Sequence, residues 1–415
     1  MIGRALAGIA AYRTARRCSG PRMSRSQFQQ WQAARMDHWL ARDLPRVGQY
    51  RGLAPTRLGD LPITDKAQVM AAFHDFNQGR ITADQGWAAV HDTGRIGPVS
   101  LGVSTGTSGN RTLYCVTARE RAQWFGAILA KALPDLRIGR DRVAILLPQS
   151  SDLYDTARRS GLLGIRFLDL RQGLDRLTPQ LRGFDPTVLV APPRLLRLMV
   201  ENGPRLTPRR VFSAAETLDP IDRPIIEAGF GVPLGQIYMA SEGLFAVTCA
   251  QGSLHLAEDS TFFEFEDAGN GLVTPLISSF ARRFQIMARY RMNDLLRLSP
   301  EPCPCGSPLQ TVSEVVGRMD DMFRFPNGAC VTPDVLRNAV LDADRGITDF
   351  RIRQIGPAQV ELLLPRSCAG GTLEAARNAL AAALQTGFPG VEVRAGTAHL
   401  VPPADRKLRR VEVIR

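Results

Sequence analysis

A run of small and hydroxylated residues near position 104 could bind a polyphosphate. It comprises Ser104, Thr105, Gly106, Thr107, Ser108 and Gly109. Such a run offers closely spaced backbone N–H groups and hydroxyls without bulky side chains, which suits a loop that wraps phosphate groups. It is not a Walker loop, because the pattern GxxxxGK[ST] is absent. Taken alone, the run is also typical of a plain flexible loop.

Three cysteines and one histidine could bind a structural metal ion. Cys303 and Cys305 lie in the run PCPCG, and Cys249 and His255 flank a turn at Gly252. Three thiolates and an imidazole form the closed tetrahedral ligand set of structural zinc. The spacing is equally compatible with free cysteines in a core, so it leaves both interpretations open.

The composition predicts a folded chain with a large domain and a small one. Of 415 residues, 44% are hydrophobic and 22% are charged, which is ordinary for globular proteins. The net charge of +12 is compatible with nucleic-acid binding, but the charges are dispersed and aromatic residues make up only 7%, so no specific nucleic-acid partner is predicted. Seven cysteines without a secretory signal favour a reducing compartment, and we expect a cytoplasmic location.

The N-terminal segment, residues 1 to about 80, is predicted to be mainly helical. Its first stretch, MIGRALAGIAAYRTARR, is interrupted by Arg4 and is too short to span a membrane, so no transmembrane segment is predicted. A basic amphipathic helix of this kind could rest on a membrane surface. A first helix packed on the protein body is the favoured interpretation.

The middle of the chain alternates short apolar runs with helical stretches. Apolar runs begin near Arg142, Gly164, Pro186 and Arg209. Strands that alternate with helices predict a parallel, doubly wound sheet, and ligands of such sheets bind beyond the carboxyl ends of the strands. Beyond Glu242 the pattern becomes β-rich, which extends the prediction to mixed sheets.

The tail, from about Asp320, reads as strand, helix, strand, strand, helix and strand, a compact α+β unit. We therefore predict an α/β fold with a large N-terminal domain at residues 1–319. A small C-terminal α+β domain is predicted at residues 320–415.

The run STGTSG resembles the phosphate loop STGTTGxPK of the acyl-adenylate-forming superfamily, which includes acyl- and aryl-CoA ligases, peptide-synthetase adenylation domains and luciferases. Further resemblances follow in the family's order: SAAET at Ser213–Thr217, YMASE at Tyr238–Glu242, YRMND at Tyr290–Asp294, GRMDD at Gly317–Asp321, and Lys407. Within the superfamily the chain most resembles phenylacetate-CoA ligases and the CoF synthetases that adenylylate a deazaflavin coenzyme. This resemblance runs from about Gln27 to the end of the chain.

The resemblance implies a role for each matching residue. Tyr238 would stack on adenine, Ser241 would contact the α-phosphate, and Glu242 would hold Mg²⁺, which prefers carboxylate oxygen. Asp294 would accept hydrogen bonds from the ribose hydroxyls. Without the resemblance these would be a core tyrosine, a solvated glutamate and a turn aspartate. Further nucleotide contacts are implied for Ala214, Ala215, Glu216 and Arg318, and a hinge between domains is implied at Asp320 and Asp321.

Lys407 is predicted to be catalytic. It lies in KLRRV, which resembles the ligase pattern KAKRV, although a basic residue near a chain end is usually part of a charged face. The chain contains only three lysines, Lys66, Lys131 and Lys407, and otherwise uses arginine for positive charge. A lysine at this position is therefore expected to be needed for its compact ammonium, which fits between a substrate carboxylate and the α-phosphate.

Two further expectations come from comparing the chain with the family pattern. The loop continues with Asn110, Arg111 and Thr112 where much of the superfamily has x-P-K, so Arg111 is predicted to replace the missing lysine at the β- and γ-phosphates. The phenylacetate-ligase branch also carries the CxC run and the upstream Cys/His pair. This likeness favours Zn²⁺ binding over free cysteines.

The reaction implied is attack of a carboxylic acid on the α-phosphorus of ATP, with Mg²⁺, to give an acyl-AMP and pyrophosphate. The acyl group would then pass to the thiol of coenzyme A. Three alternatives stay open: transfer to a carrier-protein thiol or an amine, adenylylation as the final step as in the CoF synthetases, and a homologue that binds nucleotide without turnover. The acid is expected near Gln149–Asp155, SAAET and IYMAS.

Overall fold

The N-terminal segment is mainly helical, as predicted. A computed structural model of the chain describes residues 2–104, 111–147, 163–401 and 407–414. The first helices are α1 (Ile2–Cys18), α2 (Arg25–Arg42), α3 (Lys66–Ala71) and α4 (Ala83–His91). Helix α2 begins at a capping box in which Ser24 accepts from the backbone of Gln27 and the Gln27 side chain accepts from Ser24. Among the described residues, no helix combines the length and apolarity that a membrane span requires.

The first helix packs on the body of the protein, so the favoured interpretation of this segment is confirmed. Its neighbour is α5 (Ala118–Ala132), which follows the strands β1 (Arg95–Ile96), β2 (Val99–Val103) and β3 (Leu113–Thr117). The backbones of α1 and α5 cross closely, since a Cβ atom on Gly126 would lie 2.1 Å from the carbonyl oxygen of Gly8. Two glycines facing each other allow this approach.

A parallel sheet forms where strands and helices were predicted to alternate. Its strands are β4 (Arg142–Leu147), β5 (Gly164–Asp169), β6 (Val188–Ala191), β7 (Arg210–Ala214) and β8 (Leu234–Ala240). Neighbouring strands run in the order β5, β4, β6, β7, β8, and all are parallel. The connecting helices are α6 (Leu174–Phe184), α7 (Pro193–Asn202) and α8 (Asp222–Phe230).

Helices cover both faces of this parallel part. Val143 and Phe212 pack in a cluster with the end of α5, whereas their neighbours Ala144 and Val211 pack in a second cluster with α6, α7 and α8. Adjacent residues of a strand point to opposite faces, so both faces are buried. This arrangement confirms the doubly wound prediction.

The same sheet continues as an antiparallel half, which makes it mixed. The added strands are β9 (Gly243–Thr248), β10 (Leu254–Leu256), β11 (Phe262–Gly269), β12 (Leu272–Ser278), β13 (Tyr290–Arg291), β14 (Asp294–Leu298) and β15 (Thr311–Arg318). Strand β9 pairs with β8, and the order then runs β10, β15, β14, β12 and β11, with β13 beside β12. The described residues thus contribute twelve strands to one sheet.

The C-terminal part has its own sheet and hydrophobic cluster. Its elements are β16 (Phe323–Arg324), β17 (Cys330–Val331), α9 (Pro333–Ala343), β18 (Arg351–Gly356), β19 (Gln359–Pro365), α10 (Gly370–Gln385), β20 (Glu392–Ala398) and β21 (Val411–Val413). The order in the sheet is β20, β19, β18, β21. Strand β21 was not predicted from the sequence, and the boundary at residues 319 and 320 remains a prediction.

We expect Gly126→Ala to lower the melting temperature. An alanine normally stabilises a helix interior by about 1 kcal/mol over glycine, but here its Cβ would meet the carbonyl oxygen of Gly8 at 2.1 Å. Overpacking of this kind typically costs about 1–3 kcal/mol. The matched control is Gly183→Ala in α6, where nothing lies within 4 Å of the added atom. Equal stabilisation by both variants in thermal unfolding would contradict the close crossing.

Candidate active site

A cavity of about 900 Å³ opens at the carboxyl ends of the parallel strands. Leu147 ends β4, Ala215 follows β7, and Ser241 and Glu242 follow β8, and all four line the cavity. This is where ligands bind in open α/β sheets. The predicted residues that line it are Ser104, Ala215, Ser241, Glu242, Asp294, Arg318, Asp320 and Lys407.

The turn after β8 is held in place by hydrogen bonds. The Ser241 hydroxyl donates to Glu242 Oε2 at 3.0 Å, and the Tyr290 hydroxyl donates to Glu242 Oε1 at 3.3 Å. Arg282 donates to the carbonyl oxygens of Ser241 and Glu242, at 3.2 Å each, and to that of Cys115 at 2.6 Å. This guanidinium therefore anchors a buried carboxylate at the cavity wall. Sequence reasoning did not identify Arg282 or Tyr290.

Asp294 lies between a tyrosine and an arginine. Its Oδ2 atom accepts a hydrogen bond from Tyr238 at 2.6 Å, and its Oδ1 atom lies 3.9 Å from Arg318 Nε. Burial raises the pKa of Tyr238, and the charge of Asp294 adds to this, so the phenol stays protonated as the donor. The Tyr238 ring packs on Phe245 at 5.3 Å between centroids, behind the lining residues. Its stacking on adenine stays a prediction.

The segment after β7 turns away from the cavity after one residue. Ala214 is buried in the core, and Ala215 has a φ of 69°, a left-handed conformation that is unusual for alanine. Glu216 then points to Arg194, whose Nε atom donates to it at 2.8 Å. Burial raises the pKa of Glu216, while Arg194, Lys407 and the backbone N–H of Leu408 oppose that shift. Glu216 thus contacts the Lys407 segment rather than the open space.

Lys407 enters the cavity from the C-terminal part. Burial lowers the pKa of its ammonium, and Arg318 lowers it further, while Glu216, Asp294 and Glu242 act in the opposite direction. The ammonium is therefore surrounded by carboxylates that follow β7, follow β8 and begin β14. These three groups come from distant parts of the sequence.

Two further predicted residues of the described part of the chain, Arg111 and Asp321, do not line the cavity. Arg111 is exposed and does not line the cavity within the described part of the chain. Asp321 forms an ion pair with Arg409, and Asp320 accepts from Asn293 at 2.8 Å. Thr105, Gly106, Thr107, Ser108 and Gly109 lie outside the described residues, as does Gln149–Asp155. Ser104, the last described residue before this gap, accepts a hydrogen bond at its hydroxyl from the backbone of Thr112 at 2.9 Å.

Comparisons with known proteins give the fold a name. A crystal structure of 2-hydroxyisobutyryl-CoA ligase in the postadenylation state, with R3-HIB-AMP, is similar with a TM-score of 0.69 and 17% identity, over 94% of this chain and 90% of that one. A benzoate CoA ligase from Burkholderia xenovorans LB400 gives a TM-score of 0.53 at 15% identity, over 72% of this chain and 66% of that one. The chain has the fold of the acyl-adenylate-forming enzymes.

Comparisons of sequence find less similarity than the comparisons of structure do. No family model matches the chain. Protein CapK of Staphylococcus aureus is 24% identical over 165 residues, which cover 39% of this chain and 37% of CapK. The chain therefore matches little more than a third of the length of that curated relative.

Three further structures of 2-hydroxyisobutyryl-CoA ligase are also similar in fold. A second postadenylation structure gives a TM-score of 0.68, and an open conformation with 2-HIB-AMP and CoA gives 0.62. A structure in the thioesterification state gives 0.50. Among these four structures, the two in the postadenylation state give the highest TM-scores.

Lys66 is a cavity residue of this adenylate-forming fold to which sequence reasoning gave no role. It begins α3 and lines the cavity. Burial lowers the pKa of Lys66, Arg318 lowers it further, and the nearby carboxylates of Glu242 and Asp320 act in the opposite direction. The scarcity of lysine that drew attention to Lys407 could equally have identified this residue.

The predicted metal ligands come together away from the cavity. The ligand atoms of Cys249, His255, Cys303 and Cys305 all lie within 4.8 Å of one another. The Sγ atoms of Cys249 and Cys303 are 3.7 Å apart, and Cys305 Sγ is 3.3 Å from His255 Nε2. His255 Nδ1 lies 3.0 Å from the carbonyl oxygen of Leu309, which favours a tautomer with Nε2 free to face the thiols.

Proposed function

We propose that the protein is an ATP-dependent ligase that activates a carboxylic acid as its acyl-adenylate and transfers the acyl group to coenzyme A. The observation that carries this proposal is the convergence of Glu242, Asp294 and Lys407 on one cavity at the carboxyl ends of the parallel strands. These residues supply a carboxylate for a cation, an acceptor for ribose and a mobile ammonium. Each is the type of group that adenylate formation requires.

Asp294 and the loop at Ser104 would hold the nucleotide. The Asp294 Oδ1 atom accepts no hydrogen bond from Tyr238, which donates to Oδ2, and so it can accept from a ribose hydroxyl. Ser241 and the segment that starts at Ser104 would contact the α-phosphate. Lys66, which lines the cavity, would neutralise the β- and γ-phosphates in place of a loop lysine.

Glu242 would hold Mg²⁺. It is a buried carboxylate on the cavity wall, and both of its oxygens receive hydroxyl donors that would fix its orientation. Oxygen ligands of this kind fit magnesium, which binds through one or two carboxylates and the substrate phosphates. The ion would shield the negative charge of the triphosphate against the approaching carboxylate.

Lys407 would act on the attacking group. Its ammonium would draw the substrate carboxylate and the α-phosphate together and stabilise the charge that develops between them. A carboxylate oxygen would bond to the α-phosphorus as the bond to the bridging oxygen breaks and pyrophosphate leaves. No proton transfer is needed, because the nucleophile is already an anion.

The second reaction would use a different position of the C-terminal part. We infer that residues 320–415 turn about Asp320 and Asp321 relative to residues 1–319, which withdraws Lys407 and opens a path for a thiol. The thiolate of coenzyme A would attack the acyl carbon, AMP would leave, and the thiol proton would pass to solvent. 2-Hydroxyisobutyryl-CoA ligase, which has the same fold, binds 2-HIB-AMP and CoA both in an open conformation and in its thioesterification state.

ATP–pyrophosphate exchange across a panel of carboxylic acids tests the first reaction. We expect acid-dependent exchange that falls by about 100-fold or more in Lys407→Ala and in Glu242→Ala, because each removes charge stabilisation of the transition state. The control is Arg394→Ala, which breaks an exposed ion pair with Glu392 in the C-terminal sheet. Wild-type exchange that survives both cavity substitutions would refute the assignments.

The acceptor is tested by adding coenzyme A to the same reactions. We expect thioester to form and AMP to be released. Accumulation of acyl-AMP with no thioester would instead assign the product to adenylylation or to another acceptor, such as a carrier-protein thiol or an amine.

The exchange rate should also depend on pH in the alkaline range. Burial and Arg318 lower the pKa of Lys407 from its ordinary value of 10.5, so its ammonium loses the proton at a lower pH than an exposed lysine. We expect the alkaline limb of kcat/KM, which reports the free enzyme, to lie below pH 10.5. In Lys407→Arg this limb should disappear, because a guanidinium stays protonated. An unchanged limb in that variant would assign it to another group.

We also propose that the four Cys and His ligands bind structural zinc. A tetrahedral site with Zn–S bonds of about 2.3 Å places sulfurs about 3.7 Å apart, and the Cys249 and Cys303 sulfurs are 3.7 Å apart. Such a site would join the turn after β9 to the loop before β15. That loop also contacts the N-terminal helices, since Arg25 donates to the carbonyl oxygen of Pro308 at 2.9 Å.

Metal analysis of the purified protein should find one zinc per chain. Cys303→Ser should lose the metal and lower the melting temperature, because three ligands bind zinc less tightly and the loop is no longer tied to β9. Cys330→Ser is the matched control, since this exposed cysteine lies outside the cluster. A wild-type protein without stoichiometric zinc would rule the site out.

A further inference from the structure

A buried ion pair connects the C-terminal part of the chain to the first residue of α8. Arg410 precedes β21, and its carbonyl oxygen accepts from the backbone of Ile352 in β18 at 2.7 Å, so it belongs to the C-terminal sheet. Its guanidinium donates to both carboxylate oxygens of Asp222, at 2.6 Å and 2.9 Å. Asp222 is 1% exposed and Arg410 is 9% exposed. A bidentate pair so far from water is among the strong charge-assisted contacts.

A second arginine bridges the same two parts. Arg197 of α7 donates to Asp222 at 2.9 Å and, with the same nitrogen, to the carbonyl oxygen of Thr348 at 2.9 Å. Arg410 in turn donates to Asp349 at 2.7 Å. Asp222 therefore receives one arginine from each side of the boundary, and each arginine also contacts the C-terminal part. Asp219 adds a further carboxylate 3.8 Å from Arg410.

These contacts fix the segment that carries Lys407. Arg409 forms an ion pair with Asp321, and Arg410 binds Asp222. Of the residues that follow Lys407, Arg409 is thus paired with an acidic group at the proposed hinge and Arg410 with an acidic group of the large N-terminal part. Any rotation that withdraws Lys407 must break the contact between Arg410 and Asp222, because its two members lie on opposite sides of the proposed hinge.

We propose that Arg410, held by Asp222, is a positioning residue that favours the adenylation arrangement by keeping Lys407 in the cavity. This inference rests on the proposed function. The similarity to the postadenylation structures of 2-hydroxyisobutyryl-CoA ligase, with TM-scores of 0.69 and 0.68 against 0.50 for the thioesterification state, supports the same side of the equilibrium. The pair stabilises one of two arrangements and so acts on their populations rather than on the chemistry.

The test separates the two half-reactions. Asp222→Asn keeps the shape of the side chain but removes its charge, so it should lower ATP–pyrophosphate exchange by between about 5-fold and 150-fold, the usual range of coupling between two states. Thioester formation from supplied acyl-adenylate and coenzyme A should stay the same or rise, because the competing arrangement becomes more populated. Arg410→Lys should give an intermediate loss of exchange, since an ammonium cannot bind both oxygens in the same way.

The matched control is Arg353→Gln. Arg353 pairs with Glu412 at 3.0 Å and with Glu361 at 3.6 Å, so its ion pairs lie wholly inside the C-terminal sheet. This variant should leave both half-reactions near wild-type values. Circular dichroism at the assay temperature checks that each variant is folded.

Small-angle X-ray scattering gives a second readout that does not depend on activity. The Asp222→Asn variant should populate a different domain arrangement, whereas Arg353→Gln should scatter like the wild type. A parallel fall of both half-reactions in folded Asp222→Asn, or no change in either, would overturn the positioning role. A wild-type protein that shows no exchange would contradict the proposed ligase activity. In that case, a scattering change in Asp222→Asn that is absent from Arg353→Gln would still support the positioning role of Arg410.

Discussion

The structure depends on one buried ammonium and the carboxylates that compensate it. Lys407 comes from the end of the chain, whereas Glu216, Glu242 and Asp294 come from the ends of β7, β8 and the start of β14. A buried charge without partners would be costly or would lose its proton. The carboxylates at the strand ends therefore favour the position of the C-terminal part seen in this structure. The fold itself forms the site, because parallel strands bring their carboxyl ends to one edge of the sheet.

Much of this arrangement could be predicted from local patterns, and what was missed has a physical reason. The alternation of apolar runs and helices predicted the parallel half, and the motifs include several residues that line the cavity, such as Glu242 and Asp294. Arg282 escaped prediction because three of its four acceptors are backbone carbonyl oxygens, among them that of Cys115, 167 positions away. Backbone acceptors carry no sequence signal. For Tyr238, the motif predicted a ring that stacks on adenine, but it did not predict the hydrogen bond to Asp294.

The sequence predicted that the three cysteines and His255 form one ligand set, but it did not predict how they are arranged in space. Strand β10 pairs with both β9 and β15, so these three strands lie side by side in the sheet. Cys249 follows β9 and Cys303 precedes β15, and their sulfur atoms lie 3.7 Å apart although the residues are 54 positions apart in the sequence. Spacing along the chain could not distinguish this outcome from two separate pairs of core cysteines, because the pairing of strands is decided by contacts over the whole sheet.

Lysine and arginine occupy physically different kinds of site in this chain. Arg410 donates to three acceptors and Arg282 to four, in contacts that hold elements together and that need the fixed fork of a guanidinium. The three lysines lie where a compact charge is enclosed: Lys66 and Lys407 at the cavity, and Lys131 in a buried pair with Asp259 at 2.8 Å. A lysine can leave such a site without breaking a bidentate pair, which suits the entry and withdrawal that we propose for Lys407. Arg410, three positions after Lys407, forms the bidentate contact that a lysine cannot form.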